Sequence, residues 1–502
     1  MAQQVPVITE LNLYVDDAAI ELIPRREAMR LQVLPIQLVG NQLMVAMVQP
    51  EDILKLDELR RITGREIRPA RADLRVIDRG ISRFYGERDE LETAQALVEP
   101  GLVVQADQAA GLTGFGEDAP AVSLVNELIE TAIMARASDI HIEPGTNRLQ
   151  VRLRVDGVLF DHQAYPNDLH LAVTSRVKIM AGMDIGERRL PQDGRFDARL
   201  RGRVFDIRAS VVPSIAGEKL VLRLLPKTAT GMKLSELGFG ADHLVVMEEL
   251  VKRPHGMIFA TGPTGSGKTT TLYAVLSRLD RVGKNVITIE DPVEYQLTRA
   301  TQIQVHEKIG LDFASGLRAI LRQDPDVIMV GEIRDLESLR MAIQSALTGH
   351  LVLTTVHCND AASGASRLVD MGAEPFLVAS AASVFLSQRL VRRICEQCRA
   401  EAVPKEDEER ALELGDEGPF YRGRGCDHCR GTGYYGRTSV FEIMLVNDAI
   451  ASAITRRETA GEIRHLAHSL GMRSLRDDAV QKAKEGITTL EEVVRAVWVG
   501  EG

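Results

Sequence analysis

Aromatic residues are scarce, at 4% of the chain with a single tryptophan, Trp498. Stacking platforms for single-stranded nucleic acid need aromatic side chains interleaved with basic ones. No such stretch occurs, and the net charge of -10 also argues against a protein that coats nucleic acid. Long apolar runs are missing too: none approaches the ~20 residues that cross a bilayer. Met1-Ala2-Gln3-Gln4-Val5 lacks the charged start and apolar core of a secretory signal, so the expected compartment is the cytosol. Cysteine is sparse, at five residues, and four of these form two C-x-x-C pairs. In a reducing compartment that pattern favours metal over disulfide.

What is present is ordinary globular material, 45% hydrophobic and 26% charged. At 502 residues the chain is too long for one core, and about three or more domains are expected.

The chain is organised around Gly262-Pro263-Thr264-Gly265-Ser266-Gly267-Lys268-Thr269. This fits G-x-x-x-x-G-K-[ST], the phosphate-binding P-loop. Met257-Ile258-Phe259-Ala260 before it reads as a buried strand, and Thr270 to Leu276 after it has helical spacing. Glycines let backbone N–H groups approach phosphate oxygens, and the new helix adds the positive end of its dipole. Lys268 is placed to reach the β- and γ-phosphates, and the Thr269 hydroxyl to hold Mg²⁺. Thr270 completes the cradle.

In order, residues 1–86 read as a small α+β docking domain with no catalytic constellation. Strands are expected at 34–39 and 43–48, a helix follows from Glu51 to Gly64, then a strand near Ile67 and a helix over 73–85. Residues 87–120 read as a flexible linker, acidic at its start and glycine-rich at its end. Residues 121–228 read as a second α+β domain, with a helix over 122–134 and strands at 138–143, 149–155, 204–208 and 220–225. Arg152, Arg154, Arg208 and Arg223 recur along these strands. Singly, each marks a solvated sheet face; together, beside a nucleotide domain, they suggest a face that meets phosphate.

Residues 229–393 alternate strand-like runs (286–289, 327–330, 351–355) with helical stretches, which predicts a mainly parallel sheet covered on both faces. Ligands in such sheets sit at the carboxyl ends of the strands. Glu290, Asp291, Glu294 and Glu332 fall at or just beyond those ends. Glu294 is the candidate general base, in a turn set by Pro292, and Glu332 is the second acidic group for Mg²⁺. Residues 394–436 carry Cys395, Cys398, Cys426 and Cys429, whose four thiolates suit tetrahedral Zn²⁺. The gap of residues 399–425 exceeds the usual zinc-ribbon spacing, and no thioredoxin-like strand precedes either pair to support redox catalysis. His428 is a further, less favoured ligand, and Cys358 reads as a small residue after a strand. Residues 437–502 read as four short helices.

Four boxes in fixed order carry a resemblance: Gly262 to Thr269, Ile287 to Glu294, Leu321 to Asp335 and Thr348 to His357. Together with Ala137 to Pro144, Gln192-Asp193-Gly194-Arg195 and Gln388-Arg389-Leu390, they resemble the secretion ATPase superfamily that powers type II secretion and type IV pilus assembly. The resemblance covers nearly the whole chain. It implies a RecA-like ATPase core, a PAS-like second domain, and a homo-hexamer on the cytoplasmic face of the bacterial inner membrane. ATP would be hydrolysed there to drive assembly of pilin-like subunits. Implied partners are the cytoplasmic domain of an inner-membrane protein and an acidic phospholipid surface, with no nucleic acid. Glu294 resembles the catalytic glutamate and Glu332 the Walker B glutamate. His350 and His357 match the histidine box and are placed with the nucleotide as phosphate sensors. Arg208 and Arg223 match arginines that close over the phosphates, while Arg318, Arg322 and Arg334 flank the Walker B box. Residues 226–235 are the expected hinge. Retraction motors generally lack the first domain and the cysteine pairs, and a scaffold would not need an intact P-loop. Type II secretion and type IV pilus assembly stay open, the single domain before the linker favouring secretion.

Overall fold

The structure, a computed structural model, describes residues 7–8, 15–20, 22–74, 76–77, 80–81, 103–105, 120–227, 233–414 and 418–498. The chain divides into two compact units. One holds residues 1–130, 175–187 and 193–208; the other holds residues 131–174, 188–192 and 209–502.

The first unit contains β1 (Val7–Ile8), β2 (Val33–Val39), β3 (Gln42–Met47) and β4 (Glu66–Ala72), in sheet order β1-β4-β3-β2. β2 and β3 form an antiparallel hairpin, and β4 returns parallel to β3 after the helix Ile53–Thr63. That helix starts where Asp52 accepts the Lys55 N–H at 3.2 Å and stops at Gly64 with φ 64°. Ile23, Leu34, Leu43, Val45, Met47, Leu59 and Ile77 fill the core. Of the helix expected over 73–85, the described residues 74, 76–77 and 80–81 are helical, and residues 82–85 lie outside the described set. Within the expected linker, β5 (Val103–Gln105) pairs antiparallel with a later strand at 197–199. The remaining linker residues up to Ala119 are not described. Half of the expected hinge, residues 228–232, is likewise not described.

In the second unit, β6 (Ala137–Pro144), β7 (Arg148–Val155) and β8 (Val158–Pro166) form an antiparallel meander. The helix Leu169–Met180, β9 (Gln192–Leu200) and β10 (Arg203–Ser214) come next and are divided between the units, with residues 175–180, 193–200 and 203–208 belonging to the first; β11 (Gly217–Pro226), in the second, pairs antiparallel with β6.

The main sheet of that unit uses β12 (Gly256–Thr261), β13 (Val286–Glu290), β14 (Thr301–Gln304), β15 (Val327–Val330) and β16 (Leu351–Val356). It ends with β17 (Ala382–Ile394) and β20 (Tyr434–Leu445), in order β14-β13-β15-β16-β12-β17-β20. β18 (Arg399–Ala402) and β19 (Phe420–Gly423) form a separate antiparallel pair in the cysteine excursion. Every neighbouring pair in the main sheet is parallel except β17–β20.

Successive residues of a strand face opposite sides. Met257, Phe259, Ile328, Val330, Val352 and Phe385 therefore pack on one side, with helices Leu336–Leu347 and Ala361–Asp370. Ile258, Ala260, Val327, Met329, Leu353 and Leu386 pack on the other, with helices Ala241–Lys252 and Lys268–Arg278. Covering on both faces explains why β12, β15 and β16 are mostly apolar and buried along their whole length.

The region expected to be helical from residue 437 begins inside β20, most of which lies beyond that point and belongs to the main sheet. Helices Asp448–Thr455, Ala460–Ser469, Leu475–Lys484 and Leu490–Trp498 come after it. The cysteine excursion cannot bury a core alone, and it borrows one. Leu412 and Phe420 pack with Val391, Val440, Ala479, Ala483, Leu490 and Val493.

Candidate active site

β12 ends at Thr261 and the P-loop begins, so the loop sits at the carboxyl edge of the main sheet. Gly262 has φ 144° and Gly267 has φ 90°. A Cβ on Gly262 would lie 2.7 Å from the Gln388 carbonyl, and one on Gly267 2.7 Å from Gln388 Nε2. Only glycine fits either position. Lys268 is 8% exposed and donates to the Gly262 and Pro263 carbonyls at 2.7 and 3.0 Å. Burial brings its ammonium down to about 8, with Glu332 opposing the shift and Arg389 adding to it. Ser266 is 3% exposed and its buried Oγ has no partner among the described residues. A cradle that no side chain can enter, a buried cation and an unsatisfied hydroxyl fit a phosphate.

The strand-end carboxylates divide into two groups. Glu290 closes β13 and is 2% exposed. Its carboxylate accepts from Tyr273 OH, from Thr288 Oγ1 at 2.5 Å and from Gln302 Nε2 at 3.1 Å. Burial, then Glu290, push the Tyr273 phenol far above its ordinary range, so it stays a donor. Tyr273 OH also accepts the Glu294 N–H at 3.4 Å. Glu290 is therefore a brace, and through Tyr273 it positions the turn that carries the exposed Glu294. Glu332 lies beyond β15, paired with Arg334 and 3.5 Å from His357 Nε2.

The two histidines part company. His357 follows β16 at the carboxyl edge, beside Glu332. His350 precedes β16, and its carbonyl accepts the N–H of Gly256, the first residue of β12. β12 and β16 run parallel in register from Gly256↔Leu351 to Thr261↔Val356. His350 therefore lies at the opposite edge from the P-loop, about 20 Å away at ~3.3 Å per residue. Its Nδ1 lies 2.8 Å from the Ser345 carbonyl, a local helix-end contact. The expectation that His350 belongs with the nucleotide does not fit this placement.

The arginine face is charge-compensated. Cross-strand register sets Arg223 and Arg154 opposite Asp139, and Arg152 opposite His141, two residues from Glu143. Arg152 Nε donates to Glu143 at 2.8 Å, and Arg223 Nε to Asp139 at 3.1 Å. Arg154 Nε is 3.8 Å from Asp139, and Arg208 Nε is 3.5 Å from Asp206. The Arg223 side chain stays 62% exposed despite its partner. Arg318 pairs with Glu337 at 2.5 Å, and Arg322 donates to the Arg318 carbonyl at 2.9 Å.

The four cysteines converge, with their sulfurs all within 4.8 Å of one another. Cys395–Cys426 and Cys398–Cys429 are each 3.8 Å apart, and Cys426–Cys429 is 3.7 Å. Sulfurs about 2.3 Å from a central zinc form a tetrahedron with edges of about 3.8 Å. Burial pushes the Cys429 thiol up, but N–H donors from Cys426 and Gly433 outweigh it and bring it to about 6. The donor set and spacing fit Zn²⁺. His428 stands outside the cluster, stacked on Tyr435 at 4.1 Å.

The model of the "Type II/IV secretion system protein" family matches residues 115–495. The chain belongs to this family. Residues 3–91 match the MshEN domain. The type IV pilus assembly ATPase PilB of Myxococcus xanthus is 43% identical over 98% of this chain and 88% of its own length. The type II secretion system protein E of Xanthomonas campestris pv. campestris is 44% identical, covering 95% of this chain and 86% of its own. The type II secretion system protein HxcR of Pseudomonas aeruginosa is 49% identical over 78% of this chain and 81% of its own. Among solved structures, the Legionella pneumophila ATPase DotB shares the fold, with a TM-score of 0.56 and 22% identity over 78% of this chain and 98% of that one.

This secretion ATPase hydrolyses ATP. The sequence alone assigned no role to Tyr273, Gln388 or Arg389. Tyr273 falls one helical turn past the P-loop, which was a readable signal. Gln388 and Arg389 reach the loop only through the pairing of β17 with β12.

Proposed function

We propose that this ATPase powers type II protein secretion from the cytoplasmic face of the inner membrane by driving assembly of pilin-like subunits. The observation that carries the catalytic part is the convergence of the P-loop, Glu332, His357 and the Tyr273-held Glu294 turn at one sheet edge. In this reading residues 262–270 bind the phosphates and Lys268 neutralises the β- and γ-phosphates. Glu294 takes the proton from the attacking water, and His357 senses the γ-phosphate beside Glu332. Thr269 and Glu332 would hold Mg²⁺, which supplies charge neutralisation on the phosphates. The 49% identity to a type II protein favours secretion over pilus extension, the second reading.

The chain acts as a homo-hexamer in which residues 1–86 dock to an inner-membrane partner. Residues 121–228 are the second domain, 229–393 the ATPase core and 394–436 the zinc module. Acidic phospholipid vesicles carrying the partner's cytoplasmic domain should raise turnover, and single-stranded DNA should leave it unchanged. DNA stimulation without lipid stimulation would replace this reading with a nucleic-acid translocase.

Arg208 and Arg223 close over the phosphates, exchanging their carboxylate partners for ATP. Such contacts favour the transition state, so Arg208→Ala and Arg223→Ala should each lower kcat by ~10–1000-fold with little loss of ATP affinity. Loss of affinity at an unchanged maximal rate would make either arginine a ground-state binder only.

A further inference from the structure

β17 runs past the end of its parallel neighbour β12, where Thr261 pairs with Ser387. The next two residues, Gln388 and Arg389, form a wall along the P-loop. Gln388 is 1% exposed and bridges two elements. Its Oε1 accepts from Thr271 Oγ1 at 2.7 Å, one turn into the P-loop helix, and its Nε2 donates to Ser439 Oγ at 3.0 Å on β20. Gly262 and Gly267 both close against this residue.

Arg389 points the other way and is 4% exposed, an unusual burial for a guanidinium. Its Nη1 donates to the Gln388 carbonyl at 3.2 Å, the same oxygen that Gly262 abuts. Its Nη2 donates to the Asn359 carbonyl at 2.8 Å, two residues past His357. Its Nε is buried without a partner among the described residues. Nearby charge is supplied by Asp360 and Glu442, and Asp360 is itself paired with Arg464 at 2.6 Å. A buried cation held by two carbonyls and, among the described residues, by no carboxylate is costly unless its geometry serves something.

We propose that Arg389 is a positioning residue for hydrolysis, clamping the wall of the P-loop and the turn that carries His357 into one arrangement. The planar fork sets two donors at fixed separation, which an ammonium cannot reproduce. Movement of either element by even 1 Å would then misplace the reacting groups. The inference rests on residues 262–269 being the nucleotide cradle.

The test uses the full chain and compares wild type, Arg389→Met, Arg389→Lys and Lys268→Ala for kcat, nucleotide dissociation constant and melting temperature. Arg389→Met keeps the volume without the donors and should lower kcat by ~10–100-fold, with the dissociation constant changed less than ~3-fold. Arg389→Lys should fall between Met and wild type. A wild-type kcat in a folded Met or Lys variant overturns the proposal. Equal losses of rate, affinity and melting temperature in both variants also overturn it, since they show packing alone. If Arg389→Met does not fold, the lysine variant decides by the same criteria. Normal hydrolysis by Lys268→Ala would instead sink the cradle assignment itself.

Discussion

Lys268→Ala is expected to lower kcat by at least ~100-fold and to weaken ATP binding as well. The lysine is the only cation whose donated hydrogen bonds, at 2.7 and 3.0 Å, go to the loop's own carbonyls, among the bonds described. Those carbonyls hold the ammonium where phosphate oxygens would compete for it. In a site this buried, removing one charge-stabilising donor costs ~3–4 kcal/mol of transition-state stabilisation. The alanine variant also leaves the Gly262 and Pro263 carbonyls without their donor, so the loop loses its resting shape. Steady-state hydrolysis and equilibrium binding of a fluorescent ATP analogue check both effects. Turnover within ~2-fold of wild type would contradict them.

The second large effect concerns the metal. Purified protein is expected to hold about one zinc per chain, and Cys395→Ser to hold less than about one tenth of that. Four sulfurs at tetrahedral spacing cannot all carry charge this close together unless a cation joins them. Cys395 is fully buried at the end of β17, and the excursion between the pairs has little apolar content of its own. Losing the metal should therefore expose residues 394–436 to hydrogen exchange and proteolysis. The P-loop strands, packed in other clusters, should stay protected. Metal-free protein with full activity and unchanged protection would count against a structural zinc.

The P-loop was legible in the sequence because its chemistry is local: glycines, lysine and threonine at fixed spacing, with a strand before and a helix after. The strand-end carboxylates were legible for a related reason, since a buried parallel strand is an apolar run and the residue after it is at the ligand edge. Pairings distant in sequence were not legible. β17 and β20 pair from Val384↔Leu445 to Ile394↔Tyr434, and no local pattern announces that the segment after the second cysteine pair returns to the main sheet. The same limit misplaced His350. It shares a box with His357, but a strand of six residues separates them and sends them to opposite edges. Among the arginines, alternation marked the exposed face, but only cross-strand register shows that Asp139 and Glu143 sit among them. Arg389 is the sharpest case. Its neighbours, Asn359 and the wall of the P-loop, exist only once β12, β16 and β17 lie side by side.

The measurement that bears most directly on the catalytic account is made on Glu294→Gln. ATP binding at equilibrium and single-turnover hydrolysis are followed on the same preparation. The turn that holds this side chain is fixed through Tyr273 and Glu290, contacts that the glutamine leaves intact. Binding should therefore stay within ~3-fold of wild type while the hydrolysis rate falls by ~100–10,000-fold, the usual contribution of a positioned base. A variant that binds ATP and hydrolyses it at close to the wild-type rate would contradict the assignment of Glu294.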